Sequence, residues 1–175
     1  MRAVWLEPDE KYLAQRHSWG ADRWDEVWDG VLHMPPFPMF EHELVASALL
    51  VALTPLAKRC GLVAVAAALL EHEKNYRKPD LTLGRLDQTS ERGFEGAELV
   101  IEVLSPNDES RDKFPFFAKL GVREVWLVEP KTRAIELYLL RNGVYMRQVA
   151  PFVSSVLGVA IEQRDGQLVI GDAVI

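Results

Sequence analysis

The sequence is poor in cysteine, in long apolar runs and in positive charge. Its single cysteine, Cys60, excludes an internal disulfide and a cysteine cluster for zinc or iron–sulfur binding. The amino-terminal segment MRAVWLEPDEKY has no apolar core of the kind that a secretion signal carries. The apolar stretches near 62–70 and 99–104 are too short to cross a bilayer. We therefore expect a cytoplasmic protein that does not use a membrane.

The charge balance limits the ligands that the protein can bind tightly. Its 26 acidic residues outnumber its 20 lysines and arginines, which gives a formal net charge of -6. Neutralisation of phosphates by basic side chains normally drives nucleic-acid binding, so this charge opposes a strong, purely electrostatic grip on DNA. The length and the 49% hydrophobic share are ordinary for a globular protein, and they predict one domain over residues 1–175.

Turn residues and apolar spacing predict the elements of the first third of the chain. A short leading helix is expected over 8–20, opened by Pro8. The dipeptide Asp29-Gly30 between two apolar runs is the favoured turn of a two-residue hairpin. Apolar residues then recur at spacings of three and four over 41–61, which predicts a long amphipathic helix.

The middle of the chain predicts strands and one interrupted helix. Segments 62–70 and 81–83 are expected to be two strands joined by a polar, basic turn, and 99–104 a buried central strand. A helix is expected over 109–120, and Pro115 should kink it or delay its regular start.

The last part of the chain predicts further strands. EVWLV at 124–128 reads as a strand, Asn142-Gly143 as the turn of a second hairpin, and Asp165-Gly166 as a turn between short strands. The whole succession predicts a mixed α/β (α+β) fold, in which a mixed sheet is flanked by helices and extended by β-hairpins.

Two acidic residues lie near strand ends. Asp80 begins a strand in KPDL, and Glu102 comes near the end of another in ELVIEVLSP. Carboxylates at the ends of neighbouring strands can share a hard cation such as Mg²⁺ or Mn²⁺, which can activate water against a phosphodiester. Spacing alone leaves a simpler alternative open, because acids at strand ends usually face solvent or a helix cap.

Glu102 needs a partner, because the residues around it predict burial. Desolvation of a carboxylate in such a strand must be offset by a cation or by a basic side chain. Lys113 lies in the first turns of the following helix, which begins at the same end of the sheet as Glu102. A lysine in this position can orient water or stabilise phosphate charge. A solvated position on the helix surface is the alternative for Lys113.

Several segments together resemble one protein family. KPDL, IEVLSP and FFAKLGVREVWLVEP, preceded by WDEVWDGVLHMPP and EHELVASAL, resemble the Uma-two family of restriction-endonuclease-like proteins, within the PD-(D/E)xK nuclease superfamily. These segments cover roughly residues 24–130. The resemblance implies a restriction-endonuclease-like fold and a metal-dependent endonuclease acting on DNA, with Mg²⁺ as its cofactor and Mn²⁺ as an alternative.

The resemblance also implies roles for individual residues. Asp80 and Glu102 match the acidic pair that binds metal. The superfamily pattern has lysine two positions after the second acid, where this chain has Leu104, so the lysine is expected to come from the next helix as Lys113.

Glu26 and His42 match two further recurrent positions of the family. Glu26 is expected to be a metal ligand or a water-orienting acid, with cross-strand pairing as the alternative. His42 is expected to contact metal-bound water or phosphate, with helix capping or solvation as the alternative.

Other features bear on partners. Lys74, Arg77 and Lys78 can meet the DNA backbone, although a solvated turn is an equal alternative. Trp126 and the Ala-rich segment 63–70 look exposed and apolar, which favours a homo-oligomer. Two other functions stay open: an inactive nuclease fold kept as a binding or assembly module, and an enzyme acting on a different phosphate ester.

Overall fold

The computed structural model describes residues 3–5, 9–106 and 108–175, so the helix opening assigned to Pro8 lies outside the described residues. The helices are α1 (Glu10–Ser18), α2 (Phe40–Arg59) and α3 (Phe114–Lys119). The strands are β1 (Ala3–Trp5), β2 (Glu26–Trp28), β3 (Val31–Met34), β4 (Val63–Val65), β5 (Leu69–His72), β6 (Asn75–Arg77), β7 (Leu81–Gly84), β8 (Thr89–Ser90), β9 (Gly93–Phe94), β10 (Leu99–Val103), β11 (Glu124–Val128), β12 (Ile135–Arg141), β13 (Val144–Arg147), β14 (Phe152–Val153), β15 (Ala160–Arg164), β16 (Gln167–Ile170) and β17 (Ala173–Val174).

The central sheet has six strands in the order β13-β12-β11-β10-β7-β4. β10 and β11 are parallel, and the other neighbours are antiparallel. The parallel pair is joined by a crossover that contains α3, as parallel strands require. The mixed sheet flanked by helices that the sequence predicts is therefore confirmed.

Alternate residues of β10 face opposite sides of this sheet. Leu99 and Ile101 belong to the core that α2 covers, whereas Val100 packs in a second core with Phe116 and Phe117 of α3. Side chains alternate along a strand, so Glu102 lies on the same side as Val100. The period of two thus carries one carboxylate to the α3 side of a strand that is otherwise apolar.

The second sheet has the order β1-β3-β2-β6-β5-β9-β8. Its β2–β3 hairpin turns at Asp29 (φ 49°) and Gly30 (φ 86°), both in the left-handed region that a two-residue turn needs. The Asn75 side chain fixes this turn, accepting from the Asp29 N–H at 3.1 Å and donating to Asp29 Oδ1 at 2.8 Å. The first predicted hairpin is present, and it fixes the position of Glu26 on β2.

The segment predicted as one strand over 62–70 is in fact two strands in different sheets. β4 pairs with β7 in the central sheet, and β5 pairs with β6 and β9 in the second sheet. The polar segment after it is a hairpin, not a simple turn before β7. The segment 62–70 consists of Leu, Val and Ala, with no Gly, Pro or polar residue to mark a break. The local pattern therefore does not show where the chain passes from one sheet to the other.

Pro115 delays the regular helix, as expected. A 3-10 turn over Ser110–Lys113 comes first, and α3 begins only at Phe114. Proline is tolerated in the first turn of a helix because its missing N–H has no intrahelical acceptor there. The helix is therefore shorter than predicted, and Lys113 lies at its start.

A four-stranded sheet in the order β14-β15-β16-β17 follows the central sheet. Leu168 and Ile170 join the core under α2. Glu124, fully buried at the start of β11, accepts hydrogen bonds from Ser154 Oγ at 2.8 Å and Ser155 Oγ at 2.7 Å. It also accepts from Val156 N at 3.1 Å, so this carboxylate binds the loop after β14 to the central sheet.

Two expectations about apolar surface need revision. Trp126 is fully buried and donates from Nε1 to Glu124 at 3.0 Å, so it cannot contribute to an interface between subunits. α2, overlooked as a long apolar segment, has the length and the mean hydropathy of 1.3 that a membrane span needs. It packs one face, including Leu49 and Leu53, against the sheet, and the core helix of a globular protein meets the same criteria.

Candidate active site

A cleft of about 460 Å³ opens at the edge where β7 begins and β10 ends. Its walls come from the β2–β3 hairpin, the start of α2, and the loop and 3-10 turn that follow β10. All five catalytic candidates named from the sequence line it: Glu26, His42, Asp80, Glu102 and Lys113.

Asp80 and Glu102 lie side by side on neighbouring strands. β7 and β10 pair in a register that sets Leu81 opposite Ile101, so the next position sets Asp80 opposite Glu102. The Val103 N–H donates to Asp80 Oδ2 at 2.7 Å, which fixes the aspartate against β10. The two acids that the sequence separates are therefore brought together.

Lys113 lies between two carboxylates. Its Nζ is 2.9 Å from Glu102 Oε1 and 2.9 Å from Glu26 Oε1. Burial by itself lowers the pKa of Lys113, but the charges of Glu102 and Glu26 outweigh burial and raise it above its ordinary value. Lys113 therefore stays protonated at neutral pH.

Glu102 is 4% exposed. Burial raises the pKa of Glu102 well above its ordinary value, Lys113 opposes this rise, and the neighbouring charges of Asp80 and Glu26 add to it. Leu104, which stands where the superfamily pattern has lysine, packs against the α3 core instead. The cation that Glu102 needs is thus supplied from the 3-10 turn.

Glu26 has both carboxylate oxygens engaged. Oε1 accepts from the Lys78 backbone N–H at 2.8 Å and pairs with Lys113, while Oε2 accepts from Trp28 Nε1 at 2.6 Å. A carboxylate held in this way orients its partners and offers little to a metal ion. The geometry therefore favours a role for Glu26 in positioning Lys113.

His42 lies in the first turn of α2 and is 7% exposed. Its Nε2 is 3.2 Å from Asp80 Oδ2, and its Nδ1 is 3.7 Å from Glu43 Oε1. Burial lowers the pKa of His42, but the hydrogen bond to Asp80 and the charges of Asp80 and Glu43 together outweigh burial and raise it. His42 thus orients Asp80 from the side of the helix.

The donor atoms left over fit a hard divalent cation. Within the described residues, no group of three or more His, Cys, Asp or Glu side chains forms a complete metal site. Asp80 Oδ1 and Glu102 Oε2, however, accept no hydrogen bond from any residue that the structure describes. Magnesium is commonly held by one or two carboxylates, with water and phosphate oxygens completing its octahedron. Two carboxylates with one open oxygen each match that requirement.

The three basic residues before Asp80 are placed differently from one another. Lys74 is exposed in the turn between β5 and β6, away from the cleft lining. Arg77 is buried, donates to the Val27 carbonyl at 2.9 Å, and lies over the Phe116 ring, a structural placement. Lys78 lines the cleft, donates to a backbone carbonyl, and has its pKa lowered by burial. Only Lys78 stands where it can meet substrate in the cleft.

Two features of the cleft were not found from the sequence. Trp28 packs on His33, with ring centroids 4.3 Å apart, behind Glu26. Trp24, Phe37 and Met39 form an apolar part of the cleft lining, called the rim below. The run Pro-Pro-Phe-Pro-Met at 35–39 carries the available signal, because large apolar side chains between prolines favour a restricted, exposed loop.

The fold is also found among solved structures. A crystal structure of a protein described as a putative nuclease of the DUF820 group, from Anabaena variabilis, superposes with a TM-score of 0.62 at 17% sequence identity. The match covers 76% of this chain and 83% of the other. At this identity the likeness establishes the fold alone, and no curated protein sequence matches the chain.

The family assignment comes from the sequence as a whole. The model of the Uma2 family, described as "Putative restriction endonuclease", matches residues 10–168. This is nearly the full chain, and it extends the resemblance beyond the segments around Asp80 and Glu102. The expected family is confirmed: the chain is a member of the Uma2 family of restriction-endonuclease-like proteins.

Proposed function

We propose that the protein is a metal-dependent endonuclease that hydrolyses phosphodiester bonds in DNA. The observation that carries the proposal is the pair of Asp80 and Glu102, set opposite each other with one open oxygen each, beside protonated Lys113 in a cleft. The family, described as putative restriction endonucleases, and the similar structure of a putative nuclease also support a nuclease.

Different residues of the cleft have different proposed roles. Asp80 Oδ1 and Glu102 Oε2 would hold the divalent cation, Mg²⁺ or Mn²⁺. Such a cation, when bound, supplies a water of lowered pKa and neutralises charge on the scissile phosphate. Lys113, paired with Glu102 and Glu26, serves as an electrostatic partner that orients water or stabilises phosphate oxygens. This refines the sequence expectation that Lys113 helps to activate water.

Glu26 and His42 act through other residues. Glu26 holds Lys113 from the second sheet, and His42 holds Asp80 from α2. Residues that orient metal ligands typically contribute about 10–100-fold to metal affinity or activity. We therefore propose both as positioning residues.

A second candidate is a binding or assembly module without turnover. Two observations favour it: the net charge of -6, and Lys113 held tightly between two carboxylates. An enzyme for a smaller phosphate ester would use the same donor atoms. These alternatives differ from the endonuclease in what they do to a long nucleic acid.

The test is metal-dependent cleavage of single- and double-stranded DNA by the wild type and by Asp80→Asn. We expect cleavage by the wild type with Mg²⁺ or Mn²⁺, and a loss of about 1,000-fold in the variant, since a metal contributes several kcal/mol to the transition state. Asp87→Asn is the matched control, because Asp87 is exposed and lies outside the cleft lining. Equal cleavage by the wild type and Asp80→Asn would remove the site from the proposal.

A further inference from the structure

The rim of the cleft exposes large apolar side chains that a folded protein usually covers. Phe37 is 65% exposed and Met39 is 66% exposed, and both line the cleft beside the acidic pair. Single exposed apolar residues are common, but a group of them next to a candidate active site marks a binding surface.

Three prolines restrict the backbone of the loop that carries these residues. Pro35, Pro36 and Pro38 each fix one backbone φ angle, so the segment cannot easily fold Phe37 into the core. The Phe37 ring meets Trp24 edge to face, with centroids 4.9 Å apart and planes at 62°. Because the Phe37 side chain is still mostly exposed, its ring remains available to a flat ligand.

The cleft lining contains two chemically distinct groups of side chains. Asp80, Glu102 and Lys113 are the polar group, and Trp24 with Phe37 is the aromatic group. A nucleotide is divided in the same way, into a charged phosphate and a flat, stackable base. The volume of about 460 Å³ falls in the range of about 300–1,000 Å³ that small-ligand sites occupy, which suits a nucleotide unit.

The charge of the protein distinguishes between paired and unpaired substrates. A duplex hides its base faces and is held mainly through phosphates, which a chain of net charge -6 attracts poorly. A single strand offers bases for stacking, and stacking on aromatic side chains does not depend on a broad basic surface. The aromatic rim therefore compensates for the missing positive charge only when the bases are unpaired.

We propose that Phe37, supported by Trp24, stacks an unpaired nucleobase of a strand whose phosphate lies at Asp80 and Glu102. The substrate class is accordingly single-stranded or locally unpaired DNA. The placement of the phosphate rests on the proposed nuclease function, whereas the stacking itself is measured by binding and needs no turnover.

The experiment measures fluorescence anisotropy of a short fluorescein-labelled oligodeoxynucleotide, single-stranded or as a blunt duplex, in Ca²⁺. We expect the wild type to prefer the single strand, and Phe37→Ala to weaken single-strand binding about tenfold or more while leaving the duplex unchanged. Phe37→Trp should keep the affinity. Trp19→Ala is the matched control, because Trp19 is also 65% exposed but lies outside the cleft lining.

An oligonucleotide series with one abasic nucleotide at successive positions provides the second measurement. One abasic position should weaken wild-type binding as much as Phe37→Ala does, and the variant should lose nothing further on that probe. Equal loss of single-strand and duplex binding in Phe37→Ala, no loss at all, or a wild type that prefers the duplex or binds neither probe would overturn the stacking site.

The two proposals fail separately. A wild type that binds the single strand through Phe37 but cleaves nothing overturns the endonuclease and leaves the base site standing. A wild type that cleaves through Asp80 and binds single strands regardless of Phe37 does the reverse.

Discussion

Two buried glutamates on neighbouring strands of the same sheet have opposite surroundings. Glu124, at the start of β11, is fully buried and accepts five hydrogen bonds from uncharged groups. Glu102, near the end of β10, is 4% exposed and has one ammonium partner, Lys113, and one open oxygen. The first carboxylate is saturated by protein groups, and the second is left incomplete at a cleft.

The contrast distinguishes a carboxylate that serves the structure from one that we propose to serve the reaction. Burial of either carboxylate costs free energy that its partners must offset. The loop around Ser154 offsets it for Glu124 and leaves no room for a ligand. The cost of burying the Glu102 carboxylate is offset only in part, and its pKa is therefore raised. A divalent cation would complete the offset, which is why incompleteness is itself evidence for a site.

The largest loss of stability should come from removing the Lys113 ammonium group, which lies between Glu102 and Glu26. Lys113→Met leaves the buried carboxylates of Glu102 and Glu26 without the ammonium group that pairs with both, and Glu102 then has no charged partner among the residues that the structure describes. We expect the free energy of unfolding to fall by about 3–5 kcal/mol, as for other broken buried ion pairs. Urea denaturation followed by circular dichroism measures it. Adding Glu102→Gln should return part of the loss, and a double variant less stable than Lys113→Met would contradict the pairing.

The same substitution at the two glutamates gives the sharpest comparison. Glu124→Gln replaces an acceptor oxygen by an NH₂ group facing donors, so we expect a loss of about 1–3 kcal/mol in unfolding free energy. Glu102→Gln removes one buried negative charge and should change stability by less than about 1 kcal/mol, while abolishing metal-dependent cleavage. Stability and cleavage per folded molecule are measured on both variants. Equal effects on both properties would remove the distinction drawn between the two residues.

A smaller effect should come from His42→Ala, which leaves in place both carboxylates that we propose to bind metal. Loss of the contact to Asp80 should lower Mn²⁺ affinity about 10–100-fold, because outer partners orient the ligands. Isothermal titration calorimetry of the folded protein measures the affinity directly. His42→Gln, which can still donate to Asp80, should recover part of it, whereas an affinity unchanged in His42→Ala would assign His42 to structure alone.

Local signals in the sequence predict much of this molecule. The dipeptides Asp29-Gly30 and Asn142-Gly143 fix their hairpins, because few residues tolerate the left-handed backbone that these turns need. The family segments predict that Asp80, Glu102 and Lys113 belong to one site, and the structure brings them together.

The sequence does not predict the surroundings of side chains whose partners are distant along the chain. Glu124 is an ordinary strand residue until the loop 154–156 closes over it, and Arg77 resembles a solvated cation until the Phe116 ring and the Val27 carbonyl enclose it. The strand pattern around Trp126 does not show which face of the sheet is covered. The packing of α2 against the sheet decides that Trp126 is buried. Sequence patterns indicate which residue types are present, but not which distant groups will satisfy them.

The position of Lys113 also bears on when the site forms during synthesis. Glu26 belongs to the second sheet and Glu102 to the central sheet, and Lys113 joins them. A growing chain that has completed only the second sheet possesses neither the lysine nor the carboxylate opposite Asp80. The complete site, in which Lys113 is held from both sides, therefore forms only after both sheets have docked, so a chain that is unfinished or has lost one sheet lacks the arrangement that the proposed reaction needs.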